Sequence, residues 1–423
     1  TTGENNTAIG QSALGANTTA SNNTAVGINA STSNTTGGNN VAVGVDALKV
    51  NTGSFSNVAI GTRALDAFNV TTATSTYNVA VGEDALGACT TGVENTAVGG
   101  EAMILNTTGS YNVAVGRDAL QANTTGAQNN AFGNNALGSN TTANDNTAMG
   151  SGALTTNTTG ASNTGIGRAA LNANTTASNN TAVGYYALVA NTTGDTNVAI
   201  GKDSMRSNTT GTNNVAVGVG AGYANTTGVD NTYIGDDAGD TTTTGSSNTL
   251  VGSNVLASSA GTSNANGFGY NLTCADNYTT IGQGTADIRA EHGVASWGTV
   301  SDERVKKDIE DSTVGLAFIN DLRPVTFNYK NKGDLPENFN GYEKGSTEVY
   351  KNLKSQHGFI AQEVKEAIDK HNDIKDGFGM WDDNDPAGQQ RVSETAVMPI
   401  LIKAVQELSA QVEELKLQIN EEK

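Results

Sequence analysis

Hydrophobic and polar positions alternate with a constant period over roughly the first two thirds of the chain. The recurring unit reads Asn-(Thr/Val)-Ala-(Val/Ile)-Gly-x-x-Ala-Leu-x-x-Asn-Thr-Thr-Gly-x-x. Its strand-closing glycine returns with a constant 17-residue spacing from Gly10 to Gly269, apart from one longer step between Gly61 and Gly82. A period this constant indicates a repeat architecture.

Each unit has the pattern expected for one coil of a β-solenoid. Val113–Val115 alternates large and small residues, as a short strand with one buried face does. Ala119 and Leu120 predict a second buried anchor. Residues 123–126 (Asn-Thr-Thr-Gly) are turn residues, and we expect their glycine to adopt the left-handed conformation. Coils stacked about 4.8 Å apart predict a shaft about 75–80 Å long. Single coils bury little, so stability must come from neighbouring coils and other chains.

Two stretches break the period. Residues 66–77 lie in the one longer repeat, which we expect to bulge from the shaft, and residues 270–278 precede an early glycine at Gly282. Both stretches fit either tolerated loop variation and capping or a protrusion that contacts a ligand. The opening Thr-Thr-Gly matches the end of the recurrent turn, so we expect the chain to begin within a repeat.

Composition divides the chain in two. Only seven basic residues precede Ser301, namely Lys49, Arg63, Arg117, Arg168, Lys202, Arg206 and Arg289. We therefore predict a mainly β shaft over residues 1–290, a junction over 291–300, a small α/β domain over 301–395, and a C-terminal helix over 396–423. Short helices over 315–319 and 362–368 and a strand over 324–329 are expected in the α/β domain.

The shaft contains few side chains of the kinds that catalyse reactions or bind metals. The net charge of −19 argues against binding to nucleic acid or anionic membranes, and no apolar run is long enough to span a membrane. All three histidines, His292, His357 and His371, lie after residue 290, and the carboxylates of the repeats are scattered. We therefore expect no metal, no cofactor and no activity on external substrates. Cys89 and Cys274 lie too many coils apart to pair and are expected to be buried thiols.

The end of the chain carries a heptad pattern. Apolar residues recur as an a/d seam, made of Met398, Leu401, Val405, Leu408, Val412, Leu415 and Ile419. Ile400, Ile402 and Ala404 widen the apolar face, which suits three strands at least as well as two. The pattern predicts a trimeric coiled coil; the alternative is a single amphipathic helix that packs on its own domain.

Four motifs occur in order after residue 300. They are Ser-Asp-x-Arg-x-Lys-x-x-Ile at 301–309, Leu-Arg-Pro-Val-x-Phe-x-Tyr at 322–329, Gly-Phe-Ile-Ala-Gln-Glu-Val at 358–364, and Leu-Ile-Lys-Ala-Val-Gln-Glu-Leu at 401–408. Together they resemble the self-cleaving intramolecular chaperone at the C-terminus of endosialidase-type phage tailspikes and tail fibres. The shaft element Asn-x-Ala-Val-Gly resembles the head repeats of trimeric autotransporter adhesins, although the period here is longer.

The resemblance implies a mechanism and its residues. The domain would trimerise, hold three shafts in register and be released by autoproteolysis at the Val300–Ser301 bond. Ser301 would be the nucleophile and Lys306 its general base, with Asp302, Arg304 and His357 as possible auxiliaries. The alternative for Ser301 is the N-cap of a helix whose first turn is acidic, and a structural histidine is the alternative for His357.

The predicted function is a homotrimeric fibre for host or surface attachment, located in a virion tail or on a cell surface. Its partners would be two further copies of the chain and a cell-surface glycan or protein receptor. A bacterial surface adhesin with the same chaperone and a fragment of a glycan-degrading tailspike are the alternatives.

Overall fold

The computed structural model describes residues 2–294, 297–299, 301–339, 341–351, 353–375, 378–383 and 388–421. The chain forms two compact units, residues 1–300 and residues 301–423. The first unit is a long β-solenoid and the second is a small α/β unit with a long terminal helix.

Each coil of the solenoid contributes one short strand to a parallel sheet. The strands are β1 Thr7–Ile9, β2 Thr24–Val26, β3 Val41–Val43, β4 Val58–Ile60, β5 Val79–Val81, β6 Thr96–Val98, β7 Val113–Val115, β8 Asn130–Phe132, β9 Thr147–Met149, β10 Thr164–Ile166, β11 Thr181–Val183, β12 Val198–Ile200, β13 Val215–Val217, β14 Thr232–Ile234 and β15 Thr249–Val251. The remaining strands of this unit are β16 Leu256–Ala257, β17 Asn266–Tyr270, β18 Thr273–Cys274, β19 Tyr278–Gln283 and β20 Ala286–Glu291.

The register of the sheet follows the sequence period. Thr7 pairs with Thr24, one repeat further along the chain, and this offset holds along the array except for the longer step from β4 to β5, where Val58 pairs with Val79. After β17 the offset shortens, since Asn266 pairs with Thr279, and β20 then pairs antiparallel with β19. This hairpin ends the run of parallel strands. The prediction of a β-solenoid with one coil per repeat is therefore confirmed.

The core of each coil is built from small and medium apolar side chains. In β7 the middle residue Ala114 is buried, whereas Val113 and Val115 on either side are only partly covered. Ala119 and Leu120 are fully buried beside it, as predicted. The small residue of the strand thus faces inward and the large residues face outward.

The left-handed positions differ from the prediction. Gly126 is not among the residues with positive φ, whereas Gly116 (134°), Asp118 (58°) and Leu120 (53°) are. The next coil instead approaches Gly126 closely, since a Cβ there would lie 2.4 Å from the carbonyl oxygen of Ala143. Alanine occupies the same turn position at Ala20, Ala143 and Ala177, so the position admits a small side chain where the coils shift slightly.

Two ladders of buried asparagines run along the solenoid. In one ladder, Asn123 Nδ2 donates to Asn106 Oδ1 at 2.7 Å and to its own turn's Gly126 carbonyl at 2.9 Å. In the other, the backbone N of Asn129 donates to Asn112 Oδ1 at 3.0 Å. These side chains satisfy backbone groups that would otherwise be buried without partners. The Asn-x-Thr triplets of the turns are therefore structural elements of the coil.

Phe68 and Cys89 replace asparagine in the first ladder. Phe68 is fully buried, whereas residues 71–75 and Tyr77 of the long repeat are exposed. Cys89 and Cys274 are buried and unpaired. Burial raises the pKa of the Cys89 thiol to about 12 and that of Cys274 to about 11. Both cysteines therefore stay protonated and act as small apolar residues.

Within its described residues, the second unit contains three α-helices and two short sheets. Its elements are α1 Leu316–Asp321, β21 Val325–Phe327, β22 Gln356–Gly358, α2 Ala361–Asp369, β23 Trp381–Asp382, β24 Arg391–Val392 and α3 Met398–Glu421, with 3-10 turns at Glu303–Val305, Lys332–Asp334 and Glu394–Val397. The predicted helices over 315–319 and 362–368 correspond to α1 and α2, and the predicted strand contains β21. Its core consists of Val314, Phe318, Val364, Ala367, Ile368, Met380 and Ile400.

Candidate functional site

The segment that opens the second unit is folded by a capped 3-10 turn. Asp302 is the N-cap of Glu303–Val305, and its carboxylate accepts a hydrogen bond from the backbone N of Arg304 at 2.9 Å. The interpretation of Ser301 as the cap is wrong, because the cap is the next residue, Asp302. The Asp302 carboxylate also accepts a hydrogen bond from the Arg304 guanidinium at 2.6 Å. One carboxylate thus holds both the backbone and a side chain of the turn.

This turn brings Ser301 and Lys306 together. The Lys306 Nζ donates to the Ser301 Oγ at 2.8 Å, although the two residues are five positions apart. The backbone N–H of Lys306 closes the turn by donating to the carbonyl of Glu303 at 3.1 Å. A nucleophile and a base within hydrogen-bond distance are the minimal geometry of a Ser-Lys pair.

The charged side chains of this segment are exposed to solvent and pair with each other. Hydrogen bonds from the Arg304 side chain and backbone lower the pKa of the Asp302 carboxyl, and the same pair raises the pKa of the Arg304 guanidinium. Ser301 and Lys306 are both exposed. A lysine acts as a base only when burial or neighbouring positive charge favours its neutral form. A single chain therefore supplies the contact between the two groups but not the burial.

The other predicted site residues lie as follows. His357 is on β22, where its Nδ1 is 3.3 Å from Thr326 Oγ1 on β21. Among the described residues, the structure records no contact between His357 and Ser301. Val300, on the other side of the predicted scissile bond, lies outside the described residues.

The second and third sequence motifs meet in space. Val325 pairs with Gly358 across the β21–β22 ladder. Arg323 Nε donates to Glu363 Oε2 at 2.9 Å, and a second bond from the same guanidinium makes the contact bidentate. These contacts tie the strand pair to the start of α2. The motifs thus assemble one folded scaffold.

The fourth motif lies on α3, and its seam is uncovered. Ile400 and Ala404 are buried in the unit's own core, on the side of α3 that packs against α1. The seven predicted heptad residues, Met398, Leu401, Val405, Leu408, Val412, Leu415 and Ile419, are each 41–60% exposed. The helix therefore uses one face within its own chain and leaves a second apolar face free.

Sequence reasoning missed one positioning residue. Glu407 on α3 accepts a hydrogen bond from the backbone N of Leu316 at 2.7 Å and so caps α1 from a distant part of the chain. A Cβ on Gly315 would lie 2.5 Å from the same carboxylate. Local capping patterns involve residues within one turn of each other, so no local signal could have identified this contact.

The unit also contains an open cleft of about 740 Å³, and neither Ser301 nor Lys306 lines it. Its walls include Phe327, Tyr329 and Tyr350, with the Lys351 Nζ 5.3 Å from the centre of the Tyr329 ring. No three metal-ligating side chains lie together within the part of the chain that the structure describes. In that part, no helix is both long and apolar enough to cross a lipid bilayer.

Comparison with known proteins identifies only the C-terminal unit. Residues 301–373 match the family model described as chaperone of endosialidase. No curated protein and no solved structure matches the chain. The likeness of the repeats to autotransporter head repeats stays a prediction. The matched segment begins at Ser301 and contains the first three motifs, including the Ser301–Lys306 contact and the Arg323–Glu363 pair. The chain thus carries a chaperone-of-endosialidase domain at its C-terminus, preceded by a long β-solenoid.

Proposed function

We propose that three copies of this chain form a homotrimeric, tail-fibre-like shaft for attachment to a host or surface. Its C-terminal chaperone domain would direct trimerisation and then be released by serine autoproteolysis at Val300–Ser301. The observation that carries the proposal is an uncharged apolar stripe on the outer face of the sheet.

The outer apolar stripe consists of the third residue of each strand, together with the equivalent residues of β17 and β19. It comprises Ile9, Val26, Val43, Ile60, Val81, Val98, Val115, Phe132, Met149, Ile166, Val183, Ile200, Val217, Ile234, Val251, Phe268 and Ile281. None of these residues is polar, and eight of them are exposed large hydrophobics. The first residues of the same strands, which share the outward face, are Val, Thr or Asn. Solvated sheet faces normally carry polar residues.

The size of the stripe suits an interface between chains. A strand of this length spans about 10 Å, and seventeen strands at about 4.8 Å span about 80 Å. The outward sheet face therefore covers about 800 Å², which is one partner's share of an ordinary stable interface. A second copy presents the same stripe with the same period, so the two surfaces match along their whole length.

The seam on α3 supports the same assembly at the other end of the chain. Its seven residues have the a/d spacing of a coiled coil and no partner within the described part of their own chain. Ile at position 419 and Val at 405 and 412 provide β-branched side chains. Ile402, 58% exposed, extends this free apolar face, whereas Ile400 and Ala404 are buried within the unit itself.

A trimeric clamp solves a folding problem that the repeats create. A slip of one coil places Val on Val and Asn on Asn, so the wrong register costs little. If the C-terminal units associate first, the three shafts start in register. Cleavage after assembly removes the clamp and makes unfolding effectively one-way, since the released domain cannot guide refolding.

Autoproteolysis requires a second chain in this scheme. Lys306 contacts Ser301 but is exposed, so a neighbouring copy must cover the pair before the lysine can act as a base. The serine Oγ would attack the Val300 carbonyl, lysine would take the hydroxyl proton, and the leaving amine of Ser301 would receive it. This step leaves Val300 joined to the Ser301 Oγ as an ester, and hydrolysis of the ester by water would then separate the two parts of the chain. Cleavage would thereby be coupled to assembly.

The proposal is tested by the mass of the chain after assembly. Denaturing electrophoresis and mass spectrometry would be applied to the wild type, Ser301→Ala and Lys306→Ala, with Lys307→Ala as the neighbouring control. We expect the wild type and the control to split at Val300–Ser301 and both site variants to stay whole. A wild type that remains one 43.1 kDa chain in a fully assembled trimer contradicts the protease step. A monomer in sedimentation equilibrium contradicts the fibre.

The two alternative functions make different predictions. A bacterial adhesin would use the same trimer but would be anchored to the cell that makes it. A glycan-degrading tailspike would shorten a glycan chain in an activity assay. The outer apolar stripe favours a structural role for this segment.

A further inference from the structure

One flank of the solenoid carries a cluster of tyrosines and basic residues on four consecutive coils. The Arg-Tyr patch is defined here as Arg168, Tyr185, Tyr186, Lys202, Arg206 and Tyr223. Its three cations are the only basic residues between Arg117 and Arg289. The patch is thus the one place in the middle of an acidic shaft where positive charge concentrates.

The solenoid itself does not require these residues. Arg168, Tyr185 and Lys202 occupy the position directly after the strand glycine, where other coils carry residues as different as Gln11 and Gly100. This position is outside the core and is not part of either asparagine ladder. Its side chains are therefore free to vary, and a run of aromatic and basic residues there is unexplained by the fold.

The backbone ladder stacks the members of the patch against one another. Tyr186 N donates to the carbonyl of Arg168 at 3.1 Å, so the two coils are direct neighbours. The Arg168 guanidinium lies 5.8 Å from the centre of the Tyr185 ring. The Arg206 guanidinium lies 5.0 Å from the Tyr186 ring and 5.9 Å from the Tyr223 ring. The rings of Tyr185 and Tyr186 are 4.1 Å apart and tilted by 52°.

The patch keeps a net positive charge. Among the described residues, Asp203 is the carboxylate that forms ion pairs with these cations, 2.9 Å from Arg206 and 3.7 Å from Lys202, and its side chain is only 15% exposed. Arg168 makes no ion pair with any residue that the structure describes. Lys202 is 62% exposed. Two positive charges therefore remain to meet an anion from solution.

We infer that the Arg-Tyr patch binds an anionic sugar of the attachment target. This inference rests on the proposed attachment function and specifies its site. Tyrosine faces provide flat apolar surfaces with a polar edge, which suit the C–H face of a pyranose ring. The guanidinium of Arg168 presents parallel N–H groups that match the oxygens of a carboxylate or a phosphate. The tyrosines hold the guanidinium planes in place through cation–π contacts.

The test is equilibrium binding of the full chain to three labelled oligosaccharides of equal length. One carries uronic-acid carboxylates, one carries phosphate groups, and one is neutral. We expect at least one anionic sugar to bind at least tenfold more tightly than the neutral one, with an affinity that falls as salt is raised from about 50 to about 300 mM. The carboxylated and phosphorylated arms distinguish the two possible sources of the anion.

Matched variants locate the site. Arg168→Ala and Tyr185→Ala should each weaken binding at least tenfold. Arg117→Ala is the control, because Arg117 has the same position in its coil but stands between Gly100 and Asn134. Equal effects of Arg168→Ala and Arg117→Ala, or no binding to any of the three sugars, would overturn the inference. Sedimentation of the same samples separates this outcome from failure of the fibre, since the trimer would persist.

Discussion

Tyr233 offers a sharp test of how the solenoid core is packed. It occupies the inward position of β14, where most coils carry alanine, and it is fully buried. Its ring lies against Gly222 and Gly239, which stand where other coils carry leucine. A Cβ added at Gly222 would lie 2.6 Å from the ring, and one at Gly239 would lie 2.2 Å from it. One tyrosine thus replaces two leucines, one from the preceding coil and one from its own coil.

The expected losses of stability follow from this replacement. Tyr233→Ala restores the common residue of the strand, yet it empties a space that no leucine fills, and we expect it to cost about 3–5 kcal/mol. The double variant Gly222→Leu/Gly239→Leu forces side chains into the ring and should be destabilised by more than about 1–3 kcal/mol. In the triple variant, which combines Tyr233→Ala with Gly222→Leu and Gly239→Leu, the two leucine side chains fill the space that the tyrosine ring leaves. Its cost should therefore fall short of the sum by about 1–3 kcal/mol.

The measurement is the midpoint of guanidinium unfolding, followed by circular dichroism at one chain concentration, since assembly makes stability depend on concentration. Tyr233→Phe is the control. The Tyr233 hydroxyl is buried without a hydrogen-bond partner among the described residues, so its removal should be neutral or stabilising. Strict additivity of the triple variant, or a cost below about 1 kcal/mol for Tyr233→Ala, would refute the packing argument.

Three further changes test other parts of the chain. Asn163→Ala removes a ladder member whose side chain bonds two backbone groups, and a loss of about 2–4 kcal/mol is expected in the same unfolding assay. Glu407→Ala uncaps Leu316 and should cost about 1 kcal/mol in the C-terminal unit, whereas Glu407→Gln keeps an acceptor. The hydrogen bond from His371 lowers the pKa of Asp321. That contribution is present above the unfolded pKa of about 3.9 and is lost as pH falls through the folded pKa, so Asp321→Asn should flatten an acid titration of stability.

The period alone was sufficient to predict the regular coils of the solenoid, from β1 to β17. Because each strand must pair with its counterpart one repeat away, one regular spacing locates fifteen strands without any knowledge of tertiary structure. The backbone of the turns was not predictable in this way. Leu120 adopts φ of 53°, which an isolated leucine avoids, and tertiary stacking overrides that preference. Gly126, expected from turn chemistry to be left-handed, does not have a positive φ.

In the candidate site, too, some features were predictable from the sequence and others depended on tertiary contacts. The family resemblance nominated Ser301 and Lys306 as a pair, and the structure places their side chains in contact. The choice of Asp302 over Ser301 as the cap depended on a contact with Arg304 that sequence spacing does not specify. Contacts between distant segments, such as Glu407 with Leu316, have no local pattern and were missed.

The left-handed leucines connect the local structure to the assembly. Leu48, Leu65 and Leu86 adopt φ of 49°, 53° and 53° in successive coils and are fully buried. A left-handed conformation costs a non-glycine residue about 1–2 kcal/mol, which a single coil cannot offset with its own small apolar surface. Coils must therefore form against a neighbour that already has the same strained geometry. A chain that grows coil on coil has one costly first step, and the proposed C-terminal clamp would lower that cost by holding three first coils together.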